Sequence, residues 1–158
     1  MVYDFYETQC VGLLTLAGDE QGVRHIKFER SRKPFSIEND WRRDPDYFQN
    51  VKAQLKAYFN GELKQFDLPL RLKGTTFQQA VWKTLQKIPY GTVTTYQWVA
   101  TQIKNPKAVR AVGGANGKNP IAIVIPCHRV IGSNSSLTGF GGGLDVKQRL
   151  IDLERQHG

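Results

Sequence analysis

Residues 94–130 read TTYQWVATQIKNPKAVRAVGGANGKNPIAIVIPCHRV, and their apolar spacing and breakers predict two short helices followed by a strand that ends at a cysteine. Thr94 or Thr95 can cap the first helix, which carries Trp98, Val99 and Ile103, because a threonine hydroxyl accepts from an orphan first-turn amide. Lys104-Asn105-Pro106 marks a tight turn, and a second helix follows over residues 107–115. Two short helices joined this way form either a helix-turn-helix or a plain helical hairpin; Lys107, Arg110 and Lys118, with no acid among them, favour the former. Val109, Val112, Gly113 and Gly114 make a small face that lets backbone approach a ligand. The apolar run 121–125 then has the look of a buried strand that delivers Pro126-Cys127-His128-Arg129-Val130 at its end.

Toward the N-terminus, Thr76 with Gln79 predicts a capping box for a helix bearing Phe77, Val81, Leu85 and Ile88, ended by Pro89-Tyr90-Gly91. Residues 68–74, LPLRLKG, carry breakers and a change of charge balance, which places a domain boundary between residues 70 and 71. Before it, residues 2–8, 10–18 and 23–28 alternate apolar and polar around turn residues and predict an antiparallel sheet. From Pro45 a helix with Phe48, Val51, Leu55, Tyr58 and Phe59 on one face would pack on that sheet, stopped by Asn60-Gly61. The expected class is α/β (α+β).

Composition bounds the function. The chain has 158 residues, 40% hydrophobic and 23% charged, which is ordinary for a folded protein and unlike a disordered one. Its net charge of +8 is concentrated: residues 68–144 hold nine basic residues and no acid, while the flanking parts are close to balance. A field of that kind attracts polyanions, and nucleic acid is the expected partner rather than a surface that is basic only for solubility. No run approaches the roughly 18 apolar residues of a membrane span, and the first residues lack a signal-peptide pattern. With only Cys10 and Cys127, a disulfide framework and a four-cysteine zinc site are excluded, and a reducing, cytoplasmic setting is expected.

Cys127 has His128 beside it, Arg129 next, and the glycine-rich segment 138–143 shortly after, a setting in which the thiol pKa could be lowered. The dipeptide alone leaves two readings open, a thiolate nucleophile or a buried small apolar residue. On an extended chain His128 would face away from the sulfur, so a water relay or a bend is needed. Cys10, in a strand-like run, is expected in the core, as are Trp82 and Trp98. His25 and His157 lack metal-ligand spacing, and the glycine run lacks a phosphate-loop pattern, so no metal or nucleotide cofactor is expected.

The segments RAVGGANGKNP (110–120) and IPCHRV (125–130), with GTTFQ (74–78) and PYGTVTTY (89–96), resemble the methylated-DNA–protein-cysteine methyltransferases. These are suicide repair proteins that remove alkyl groups from O6 of guanine. The likeness runs through the second half to Leu153-Glu154; the first third resembles the family only in its layout, a small sheet with a helix of ribonuclease H-like type. The resemblance implies a C-terminal winged helix-turn-helix that enters the minor groove of double-stranded alkylated DNA as a monomer. It implies that Cys127 accepts the alkyl group, that His128 acts on it through a water, and that Glu154 orients His128. Asn119 would be the hinge, Arg110 would enter the stack vacated by the flipped nucleotide, Tyr96 would crowd its phosphate, and Gly113 and Lys107 would lie against DNA. Cys127 and Val130 carbonyls and the Gly141 amide would meet the guanine edge, with Lys147 in support and Phe140 walling the base. O6-methylguanine and O4-methylthymine are the implied substrates, each protein acting once without a cofactor. Phe140-Gly141 where some members have Tyr-Ser, and Ala122 where some have proline, alter pocket size. A non-enzymatic lesion sensor, whose relatives carry tryptophan in place of the cysteine, is disfavoured by Cys127, and a cysteine hydrolase is disfavoured by the basic middle block.

Overall fold

The computed structural model describes residues 1–29, 35–132 and 143–158. Strand β1 (Val2–Thr8) runs antiparallel to β2 (Gly12–Asp19), which runs antiparallel to β3 (Gly22–Phe28). The sheet order is β3-β2-β1-β4, with β4 (Arg42–Arg43) added parallel to β1, a strand too short to show in the alternation. Cys10 does not continue β2 and is half-buried rather than core. The Thr8 hydroxyl accepts from the Val11 amide and donates to the Gly12 carbonyl, closing a turn where the apolar pattern suggested strand.

A 3-10 turn (Asp46–Phe48) leads into α1 (Gln49–Phe59), whose Val51, Leu55 and Tyr58 are buried while Phe59 is partly exposed. Helix α2 (Thr76–Leu85) is capped one residue earlier than expected: the Thr75 side chain accepts from Gln78 N, and the Gln78 side chain returns to the Thr75 amide. Both pairs share the same spacing, and only the extended backbone of Thr75 makes it the cap. Thr95 caps α3 (Tyr96–Gln102), and α4 (Val109–Gly117) follows after the turn. The Trp82 indole donates to the Ala115 carbonyl at 3.0 Å and pins α2 to α4. Trp98 stands 36% exposed, against the core expectation, because α3 is covered on one side only. Strands β5 (Thr94–Thr95) and β6 (Val130–Ile131) pair in parallel, and α5 (Leu144–His157) closes the chain.

The two halves are stitched along β3. Val23 exchanges hydrogen bonds with Pro69 and Arg71, while Ile26 N donates to Pro120 O at 3.0 Å and Ile26 O accepts from Ala122 N at 3.0 Å. These contacts set the segment that precedes Cys127 directly on the sheet.

The expected strand over residues 121–125 does not form. Ile125 N bonds to Ile121 O and Val124 N to Ala122 O, and Ile123 sits at φ 72°, so the run is a tight reversal. A β-branched residue in that region is strained by about 1–3 kcal/mol. Ile121, Ile123 and Ile125 are nearly inaccessible, so the apolar run reported burial and not backbone type.

Candidate active site

Cys127 is therefore presented on a 3-10 turn (Cys127–Arg129) that leaves the reversal, not at a strand end. The turn is held from α4 and its C-terminal extension. Asn119 Nδ2 donates to Ile125 O at 2.7 Å and its Oδ1 accepts from Ile121 N at 3.0 Å, clamping both ends of the reversal. Asn116, buried on the last turn of α4, donates to the Cys127 carbonyl at 3.3 Å. One asparagine thus fixes the strained segment and a second fixes the cysteine backbone.

The 3-10 turn bends the chain at Cys127 and His128, so the alternation expected of an extended segment does not apply there. His128 is 0% exposed and its Nε2 lies 2.5 Å from Glu154 Oε2 on α5. Its Nδ1 is buried and has no protein partner among the described residues. Glu154 is saturated: Oε2 also accepts from the Tyr58 hydroxyl at 2.6 Å and Arg129 Nη2 at 3.0 Å, and Oε1 from Arg129 Nε at 2.8 Å and the Gly91 amide at 3.2 Å. Gly91 reaches it from a turn at φ 79°, where glycine carries no steric penalty. Arg129 is anchored further by Nη1 donating to Ile88 O at 2.7 Å.

Burial alone would raise the Glu154 pKa, but the hydrogen bonds and charges of His128 and Arg129 overcome it and hold the carboxyl well below the usual range. Burial lowers the His128 pKa, with Arg129 and Lys147 pulling the same way and Glu154 opposing. Burial pushes the Cys127 thiol up, with Asn119, Lys147 and Lys27 pulling the other way. This corrects the lowered pKa expected from sequence: Cys127 is 5% exposed, and desolvation outweighs the cations around it. Burial thus works against the charged form of both residues, the thiolate of Cys127 and the imidazolium of His128.

Lys147, on α5, is fully buried, and burial lowers its pKa to about 8, with Cys127 opposing. Its ammonium lies 3.5 Å from the Tyr96 hydroxyl and over the ring at 5.7 Å. Tyr96 is 8% exposed and Val130 is 0% exposed on β6 next to Cys127. Lys107 is exposed in the turn before α4 and Arg110 is exposed in its first turn, and nothing lies within 4 Å of a Cβ added at Gly113 or Gly114. Val112, expected on the same small face, instead points into the core. Phe140 and Gly141 lie outside the described residues.

Four partners escaped the sequence reading. Tyr58 looked like one more core position of α1, and Arg129 was counted only as charge; both serve Glu154. Asn116 and Lys27 join through contacts that no local pattern announces. Among the described residues no group of three or more His, Cys, Asp or Glu could hold a metal ion. No described helix is long and apolar enough to cross a membrane.

Two family models match the chain. The 6-O-methylguanine DNA methyltransferase ribonuclease-like domain matches residues 1–72, and the DNA binding domain of the same family matches residues 76–156. A methylated-DNA–protein-cysteine methyltransferase of Methanosarcina acetivorans is 48% identical, covering 98% of this chain and 98% of its own length. The protein of that name in Mycolicibacterium paratuberculosis is 51% identical, over 93% of this chain and 88% of its own. The crystal structure of Mycobacterium tuberculosis OGT in complex with DNA superposes with a TM-score of 0.93 at 45% identity, covering 100% of this chain and 95% of that one.

Proposed function

The chain belongs to the methylated-DNA–protein-cysteine methyltransferase family, enzymes that repair alkylated DNA by methyl transfer to a cysteine, and we propose that Cys127 is its alkyl acceptor. The observation that carries this reading is the order Cys127, His128 on a clamped 3-10 turn, with His128 Nε2 held by Glu154 and its other ring nitrogen buried and uncommitted among the described residues. In the proposed reaction His128 Nδ1 takes the Cys127 proton through a bridging water, and Glu154, itself held by Arg129 and Tyr58, stabilises the imidazolium. The thiolate attacks the methyl carbon of O6-methylguanine. A C–S bond forms, the C–O bond breaks with its electron pair going to O6, and the leaving base takes up a proton. The thioether product is stable, so each molecule acts once.

Residues 1–70 form the supporting domain in this reading and residues 71–158 the domain that binds DNA and reacts. Helix α4 approaches the minor groove with its bare Gly113-Gly114 surface, Lys107 and Arg110 beside it. A base at depth in a duplex cannot reach a cysteine 5% exposed, so the target nucleotide turns out of the stack, with Arg110 filling its place and Tyr96 pressing on the phosphate. Backbone groups of Cys127 and Val130 then read the base edge, with Lys147 below. O4-methylthymine, with a comparable exocyclic O-methyl, is a second substrate. The protein works as a monomer without cofactor.

Intact mass after mixing with a duplex carrying one O6-methylguanine tests the reading. One methyl group, retained on Cys127 by peptide mapping and saturating at one per molecule, is expected. Cys127→Ser should bind the duplex and gain no mass; transfer by that variant would overturn the assignment.

A further inference from the structure

Strand β3 carries a cation that the reaction above does not use. Lys27 lies one residue beyond Ile26, the residue that hydrogen-bonds to both Pro120 and Ala122. Its ammonium donates to the Asn119 carbonyl at 3.1 Å, and Asn119 is the residue that clamps the strained reversal ahead of Cys127. The lysine is partly buried, and among the described residues it forms no ion pair with a carboxylate. An ammonium taken out of water without a counter-ion is costly unless a negative charge develops near it. Burial pulls its pKa down, and the interaction that opposes this comes from Cys127.

We infer that Lys27 is a positioning residue of the methyl transfer, tying the N-terminal sheet to the Asn119 hinge and offering positive charge to the Cys127 thiolate as it forms. The inference rests on the proposed role of Cys127. It makes the first domain part of the reaction centre, since β3 supplies one of the two lysine charges that act on Cys127 among the described residues. Among the described residues the other groups acting on the Cys127 thiol are Lys147 from α5 and Asn119, and His128, next in the chain, is held by Glu154, which Arg129 also holds. On its own strand Lys27 is followed back by His25 and Arg24, and His25, with its pKa lowered by burial to about 4, stays neutral above pH 5 or so.

Three variants of the full chain separate charge from packing. Lys27→Gln keeps a donor toward Asn119 without the charge, Lys27→Arg keeps the charge, and Lys27→Met keeps the apolar stem and carries the test should Lys27→Gln fail to fold. Labelling of Cys127 by iodoacetamide, mapped so that Cys10 is scored separately, is followed from about pH 6 to about pH 10, bracketing the ordinary thiol pKa. Single-turnover transfer from an O6-methylguanine duplex is followed beside it. The uncharged variants should raise the labelling midpoint by about one unit and slow transfer at neutral pH about tenfold, with Lys27→Arg within about twofold of the parent. An unchanged midpoint in the uncharged variants, whatever their melting temperature, overturns the inference and leaves Lys27 a structural tie. If the parent chain transfers no methyl, the repair reading fails, while the labelling midpoints still decide whether Lys27 acts on Cys127.

Discussion

Asp4 and Glu154 are the two carboxylates buried among the described residues, one in each half of the chain, and their partners differ in how far they reach into water. Asp4, on β1, is joined by Arg43 at 2.9 Å and by Lys52 of α1, whose side chains are 59% and 29% exposed. Those cations remain hydrated when the carboxylate is lost. Glu154 is joined by His128, Arg129 and Tyr58, all enclosed with it, so no water can take its place. The first network fastens β4 and α1 to the sheet. In the second, one partner, His128, keeps a buried ring nitrogen that has no partner among the described residues. A buried carboxylate becomes mechanistic when a titratable partner has a second face to use, and remains structural when its partners end in solvent.

The contrast is most exposed to failure at Glu154. Glu154→Ala should destabilise the protein by about 3–5 kcal/mol in urea unfolding, since it strands the Arg129 guanidinium, and slow transfer at least about a hundredfold per folded molecule. A normal single-turnover rate in that variant would erase the distinction. Asp4→Asn should cost about 2–3 kcal/mol by the same assay and leave the rate within about twofold, because its cations stay hydrated. Burial raises the Asp4 pKa, but Lys52, the Phe5 amide and Arg43 bring it below the usual aspartate value. Its folded pKa is thus below its unfolded one, and the stability it supplies, present above about pH 4, is lost as pH falls further.

His25 sharpens the comparison from the acid side. Its ring packs 4.7 Å from Phe35 and 6.3 Å from Trp41, with Nδ1 buried and unpartnered among the described residues, and burial, Lys27 and Arg24 lower its pKa to about 4. The unfolded chain takes up a proton near pH 6.5 and the folded one near 4, so stability must fall as pH drops through that window. His25→Leu should flatten this slope, removing about 2 kcal/mol of acid sensitivity near pH 4 in pH-dependent urea titrations. The smallest effect belongs to the α2 cap: Thr75→Ala should lower stability by about 1 kcal/mol in thermal unfolding with an unchanged transfer rate. A rate loss there would show that the second half responds as one unit and not through Glu154 alone.

Local patterns were legible in the sequence where the physics is local. The alternation of β1 and β3, the apolar face of α1, and the Thr95 cap all depend on residues within a few positions of one another, and they stand where the spacing puts them. The reading slipped where two spacings were equivalent, as with Thr75 and Thr76, and where an apolar run was taken as strand. Residues 121–125 fold back because β3 captures Pro120 and Ala122 while Asn119 clamps both ends, constraints that arise from distant chain. Cys10 left the sheet for a shorter-range reason, the competition of the Thr8 hydroxyl for backbone groups.

For the site, sequence by itself determined the chemistry on offer: one cysteine next to a histidine, a glutamate on the last helix, and a carboxylate-free basic stretch suited to a polyanion. Tertiary structure alone decided the ionisation and the partners. Tyr58, Gly91 and the adjacent pair His128 and Arg129 come to Glu154 from three places in the chain, and Lys27 reaches Asn119 across 92 residues. The residues next to Cys127 in the sequence suggested a thiol made acidic by its neighbours, whereas folding buried Cys127 and made the thiol less acidic. The reason is that a pKa answers to desolvation and to charges a few ångströms away, and neither exists until the chain has closed around them.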